Sequence, residues 1–223
     1  MPGTALRQWA PMSLWYASYG SNLDHDRFAV YLRGGRAAGA TRDSPGCRDR
    51  TPPDQERLLH MPGGLRFAWR SQTWGGGVAF YDPDADREVL ARAYRITVGQ
   101  LSDLTAQEMW RQPGRDLDLA EVLQTGRQSI GPGHYETLHR VGTIDGSPVP
   151  TFTAPEPTDL SLNAPAPAYL RTMLRGLLQG HELDVAAAAD YLTSWPGAEG
   201  WGAAEVGALL TGTDNPLANG PAR

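Results

Sequence analysis

The sequence predicts an α+β fold of mostly antiparallel strands with packed helices, and three observations carry the prediction. An apolar run breaks into a small polar loop and then an amphipathic helix near the start; short alternating segments joined by turn residues fill the middle; helical spacing returns late in the chain. Leu14-Trp15-Tyr16-Ala17 is the apolar run and reads as a buried strand. Tyr19-Gly20-Ser21-Asn22-Leu23 is the loop, Asp24 stands where an N-cap belongs, and Phe28, Tyr31 and Leu32 form the apolar stripe of the helix. A strand-to-helix junction of this kind leaves backbone N–H groups unpaired and outward, which suits a carboxylate, a phosphate or an oxyanion.

Gly34 to Pro53 follows neither period and reads as an irregular surface excursion. Leu58 to Trp69 and Gly77 to Tyr81 favour strands, joined through Ser71-Gln72-Thr73 and Trp74-Gly75-Gly76-Gly77. Asp82-Pro83-Asp84 makes a turn, and Glu88 to Ile96 alternates as a strand closing a hairpin. Thr97 and Gln100 fit a capping box, so a helix should run to about Trp110. Further strands are expected over Leu117 to Leu123, Thr137 to Ile144 and Val149 to Thr153, with Asp145-Gly146 as a hairpin turn between the last two. Pro155, Pro157, Pro165 and Pro167 mark a stiff linker, after which Tyr169, Leu170, Met173, Leu174, Leu177 and Leu178 recur at helical spacing. Asp184 caps a short helix to about Trp195. The expected division is an N-terminal segment over 1–13, one domain over 14–195 and a tail over 196–223, polar and frayed from Thr211.

The chain has 223 residues and a net charge of −5, with basic residues scattered among acidic ones, a pattern that argues against nucleic acid and for a small solute as partner. Cys47 is the only cysteine, so no disulfide framework or cysteine metal site is expected and a reducing compartment is natural. Met1 to Pro11 holds no apolar signal core, and no apolar run is long enough for a bilayer; the expectation is a soluble cytoplasmic protein of open oligomeric state. His60, His134 and His139 lack metal-ligand spacing, so no metal is expected. Cys47 sits among Arg42, Arg48 and Arg50, which could lend thiolate character, but no histidine is placed to make it a nucleophile. The glycines from Gly34 to Gly39 follow a helix, which removes the context of a dinucleotide fingerprint, and Ser18 and Ser21 lack the glycines of a nucleophile elbow.

Glu108 stands out by position. Within the helix that Gln100 opens, Leu101 and Leu104 are followed at the same spacing by Glu108, which puts a carboxylate on the buried face. A carboxylate facing a core is costly unless it is paired or works as an acid or base. The alternative is a helix end rotated so that Glu108 reaches solvent while Met109 packs.

Taken together, these separated pieces resemble the γ-glutamylcyclotransferase-like family. In that family a Tyr-Gly-Ser-Asn-Leu loop after the first strand is followed by a Trp-x-Gly-Gly segment and then by a Glu on a later helix. Here Tyr19 to Leu23, Trp74-Gly75-Gly76-Gly77 and Gln107-Glu108 stand in that order. Ala164 to Leu170, leading into a helix and then Gly180, looks like the family's Ala-Pro-rich entry to its last helix, so the similarity covers roughly Trp15 to Leu192. The resemblance implies a small mixed β-barrel with packed helices and a C-terminal helical extension. It implies cyclisation of a γ-glutamyl amide to 5-oxoproline with release of the amine, without a cofactor. Carried over, Tyr19, Gly20, Ser21, Asn22 and Leu23 hold the γ-glutamyl group, with Gly20 allowing close approach and a positive φ, and Glu108 is the general base. Trp74, Gly76 and Gly77 either line the pocket or form a core aromatic beside a bulge.

The chain departs from the mammalian-type pattern twice. Where an aromatic hydroxyl is expected shortly after the base, it has Gln112-Pro113-Gly114-Arg115-Asp116, and Phe152 stands where a late-strand tyrosine is expected. The outer pocket should therefore differ, with Arg115 either binding a carboxylate or simply solvated. Two rival readings stay open: a non-catalytic small-molecule or peptide binding module on the same scaffold, and removal of a γ-glutamyl group from a biosynthetic intermediate.

Overall fold

In a computed structural model the chain is described over residues 13–211. The expected N-terminal segment apart from Ser13, and the tail beyond Thr211, lie outside these residues. The strands are β1 (Ser13–Ser18), β2 (Glu56–Pro62), β3 (Gly64–Ala68), β4 (Val78–Asp82), β5 (Glu88–Thr97), β6 (Arg127–Ser129), β7 (Thr137–Ile144) and β8 (Ser147–Thr153). The helices are α1 (His25–Arg33), α2 (Val98–Glu108), α3 (Ala120–Thr125), α4 (Pro167–Leu178), α5 (Val185–Thr193) and α6 (Ala203–Ala208).

The period of two in β1 organises the core. Trp15 and Ala17 enter one apolar cluster, which α4, α5 and α6 complete with Leu170, Met173, Leu192 and Val206. Leu14 and Tyr16 enter the opposite cluster, with Phe28 and Leu32 from α1 and Leu101 and Leu104 from α2. β5 repeats the division, sending Val89, Ala91 and Ala93 to the first cluster and Tyr94 and Ile96 to the second. The sheet β1-β5-β2, antiparallel throughout, is thus covered on both faces, which explains why β1 reads as a continuous apolar run.

β3 pairs with β4, and β6-β7-β8 form a third antiparallel sheet. Hydrogen-bonded ladders do not close these sheets into the barrel the resemblance implies. A side chain spans part of the gap, the Thr151 hydroxyl donating to the Ala17 carbonyl at 2.7 Å. The capping box at Thr97 and Gln100 is formed in both directions, and Asp145 and Gly146 turn the β7–β8 hairpin at φ 50° and 75°.

Four expectations need correction. Leu58 to Trp69 is two strands in different sheets, broken at Gly63, where φ is 118° and a Cβ would stand 2.7 Å from the Asp82 carbonyl oxygen. The turn at Asp82 does not close a hairpin, because β4 pairs back onto β3 while β5 fills the space between β1 and β2. Leu117 to Leu123 is not a strand: Leu119 and Val122 are buried at helical spacing, and α3 ends at Gly126 in the left-handed region. Residues 196–211, expected as part of a tail, stay packed, with Ala198 and Val206 fully buried and the Trp201 indole donating to the Pro165 carbonyl at 3.0 Å.

Candidate functional site

β1 ends at Ser18, and the chain makes one tight turn, Ser21–Leu23, before α1. Asp24 caps that helix, its carboxylate accepting the Arg27 amide at 2.9 Å. Gly20 is needed for space and not for a positive φ: its φ is −110°, and a Cβ there would stand 3.0 Å from the Tyr169 hydroxyl. That hydroxyl also accepts the Ala79 amide at 3.0 Å, which ties the loop to β4 and α4.

Tyr19, Gly20, Ser21 and Asn22 line a pocket of about 220 Å³ together with Glu108, Trp74 and Phe152. That is below the roughly 300–1,000 Å³ typical of drug-sized ligands and suits a group the size of an amino acid. Glu108 reaches the pocket because it is the last residue of α2, where the helix stops at Met109. Burial raises its pKa above the ordinary carboxylate value, opposed by the Arg27 charge and the Tyr31 hydroxyl. Burial likewise raises the pKa values of Tyr16, Tyr31, Tyr135 and Tyr169, so all four are neutral donors or acceptors at pH 7.

The aromatic hydroxyls expected to be missing are thus supplied from other elements. Tyr16 comes from β1, Tyr31 from α1, Tyr135 from the β6–β7 connection and Tyr169 from α4, all lining the pocket. Tyr135 donates to the Ala79 carbonyl at 2.9 Å, and the Phe152 carbonyl accepts the Tyr19 hydroxyl at 2.7 Å. Arg27 was not singled out by the sequence analysis, although it stands four residues before Tyr31 on the same helix face. The guanidinium carbon of Arg27 lies 4.0 Å over the Tyr31 ring and 5.6 Å from that of Trp74.

The outer wall was not foreseen. Arg42, Asp43, Ser44 and Pro45, from the excursion after α1, line the pocket together with Trp69, Trp110, Arg111 and Gln112. Arg42 stacks on Trp110 with 3.9 Å from guanidinium carbon to ring centroid, and Arg111 pairs with the buried carboxylate of Glu136. Trp69 and Trp110 have φ of 56° and 59°, a strained conformation for a bulky side chain and one that clusters at functional sites.

Other expected residues lie elsewhere. Leu23 is fully buried in the core and outside the pocket lining, its carbonyl accepting Arg92 Nε at 3.0 Å. Gly76 and Gly77 are also outside it: a Cβ on Gly77 would stand 1.9 Å from the Asn163 carbonyl oxygen, so these glycines admit the 163–166 segment. Arg115 is exposed and away from the lining. Cys47 is buried, with burial pushing its thiol up to about 12, which removes the thiolate character its arginine neighbours suggested. Among the described residues, no group of three or more His, Cys, Asp or Glu could hold a metal ion, and no helix is long and apolar enough to cross a membrane. A larger hollow of about 520 Å³ between α1 and residues 50–56 contains none of the loop residues.

No family model matches the chain. It is 32% identical over 202 residues to histone deacetylase 5 of Arabidopsis thaliana, a match that takes in 82% of this chain and 31% of that protein. The chain therefore spans about a third of the length of the curated relative it matches. Among solved structures, it is similar to an uncharacterized protein from Homo sapiens at 20% identity and a TM-score of 0.45, covering 76% of this chain and 81% of that one. It is also similar to a gamma-glutamyl cyclotransferase at 18% identity and a TM-score of 0.43, covering 77% and 82%.

Proposed function

We propose that the pocket cyclises a γ-glutamyl amide to 5-oxoproline and releases the amine. One observation carries this reading: a carboxylate of raised pKa, Glu108, and the small-residue loop Tyr19 to Asn22 line the same small pocket. Glu108 takes a proton from the substrate's α-ammonium, and the freed amine closes onto the γ-carbonyl. The protonated Glu108 then gives its proton to the departing nitrogen as the old C–N bond breaks. Glu108, a carboxylate again, takes the second proton from the ring nitrogen and passes it to the freed amine, so the lactam nitrogen keeps one hydrogen and the amine leaves as an ammonium. Nucleophile and electrophile share one molecule, so the site's main task is to hold the substrate folded toward ring closure. The reaction balances without a cofactor, and removal of a γ-glutamyl group from a biosynthetic intermediate would use the same steps with a different amine.

The test is incubation with γ-glutamyl amino acids, glutathione and γ-glutamyl amines, reading 5-oxoproline against free glutamate. Lactam should form, and Glu108→Gln should remain folded and lose turnover by about 10²–10⁴-fold. Free glutamate as product would mean hydrolysis by water, and no product from any of these substrates would leave a binding module as the better account.

A further inference from the structure

Among the described residues, Ser18 Oγ, Asn22 Oδ1 and Arg27 Nε are buried, have no hydrogen-bond partner, and belong to the lining of this one pocket. Unpartnered buried polar atoms are uncommon, and several converging on one cavity point to a ligand that satisfies them. Arg27 is the most demanding of the three, because a guanidinium keeps its charge at any ordinary pH. It is only 5% exposed, and aromatic rings lie beside it where a carboxylate would normally pair. Glu108 feels its charge across the pocket, yet no ion pair to Arg27 forms among the described residues. A buried guanidinium without an anion is strongly unfavourable, so an anionic ligand group is the partner that suits Arg27.

We propose that Arg27 receives the α-carboxylate of the substrate, so that Arg27 and Glu108 together read the zwitterionic head of an α-amino acid. This rests on the cyclisation reading above, and it narrows the substrate class to γ-glutamyl units whose α-carboxylate is free. The chemistry imposes the pairing. The α-ammonium that Glu108 must reach and the α-carboxylate are bonded to the same carbon, so a cation has to stand beside the base. Arg42 and Arg111 belong to the outer wall, and Arg27 is the arginine held inside. Its unused Nε lies on an edge of the guanidinium fork that can donate two parallel hydrogen bonds to one carboxylate. Asn22 Oδ1 and Ser18 Oγ are acceptors suited to the ammonium protons that Glu108 leaves unmet.

The experiment compares two rings that differ only in the carboxylate, 5-oxo-L-proline and 2-pyrrolidinone, by calorimetric titration of the full chain. In parallel, it compares lactam formation from γ-glutamyl and 4-aminobutyryl amides of the same amine. The protein should favour the carboxylate-bearing member of each pair by roughly 10- to 100-fold. Arg27→Lys should keep part of that preference, and Arg27→Gln should abolish it. Equal binding of the two rings, or a preference that survives in folded Arg27→Gln, would overturn the assignment to Arg27 and leave the cyclisation reading standing. Absence of binding by either ring together with absence of lactam from every γ-glutamyl amide would overturn the cyclisation reading and this assignment with it. If Arg27→Gln fails to fold, the ring comparison in the unaltered protein and in Arg27→Lys decides.

Discussion

At the scale of single residues, the site is built from groups that burial has changed. Glu108 is costly to ionise where it stands, and that cost is what a base working near neutral pH requires. Turnover should therefore fall as pH drops through the raised pKa of Glu108, and the acid limb of a rate profile should lie above the ordinary carboxylate range. The stability effect has the opposite sense. A carboxyl whose folded pKa is raised adds stability below its unfolded pKa, and that contribution is lost as pH rises through the folded value. Glu108→Gln should accordingly melt no lower than the parent at pH 7, with the difference shrinking toward acid pH, and melting curves across pH would show it. The position of Glu108 was legible because Leu101, Leu104 and Glu108 share a helical face, but its partners were not. Arg27 looked like any polar residue of an amphipathic helix, and nothing local in the sequence says that its side chain lies between Tyr31 and Trp74.

At the scale of elements, what the sequence reveals is what short-range chemistry decides. The Asp24 cap, the Thr97 and Gln100 capping box and the Asp145-Gly146 turn each depend on contacts within a few residues, and each forms as read. The ladder partner of β5 depends on which faces must be covered, and the turn at Asp82 gives no sign of it. The short run at Leu119 shows the limit of periodicity, since so few apolar positions fit either period. α2 has a particular duty because its first residues carry the capping box and its last is Glu108. Thr97→Ala should cost about 1 kcal/mol of stability in denaturant melts, typical of a lost N-cap. Turnover should change little, since Leu101 and Leu104 still anchor the helix in the core.

At the scale of the molecule, residues 196–211 belong to the same core as the pocket. Removing the chain after residue 195 exposes Phe67 and Trp195 neighbours and discards Val206, Ala198 and the Trp201–Pro165 hydrogen bond. The loss should be about 3 kcal/mol by buried apolar area, or near 10 °C in melting temperature for a chain of this size, and a thermal melt of the shortened protein would measure it. The segment that the Trp201 bond reaches is the one for which Gly76 and Gly77 leave room. Those glycines therefore help to seat α4, which brings Tyr169 to the loop.

The pocket has two walls of different character. The inner one stands on β1, α1, the end of α2 and α4, where a small shift would meet packed side chains on both sides. The outer one is drawn from the irregular stretches 42–45 and 110–112, held by bonds such as the Thr41 hydroxyl to the Gln72 carbonyl at 2.8 Å. Loops of that kind tolerate substitution and insertion far better than core elements do. On the proposed reading, descendants of this chain can diversify in the amines they admit by altering those two stretches, while the surroundings of Glu108 stay fixed.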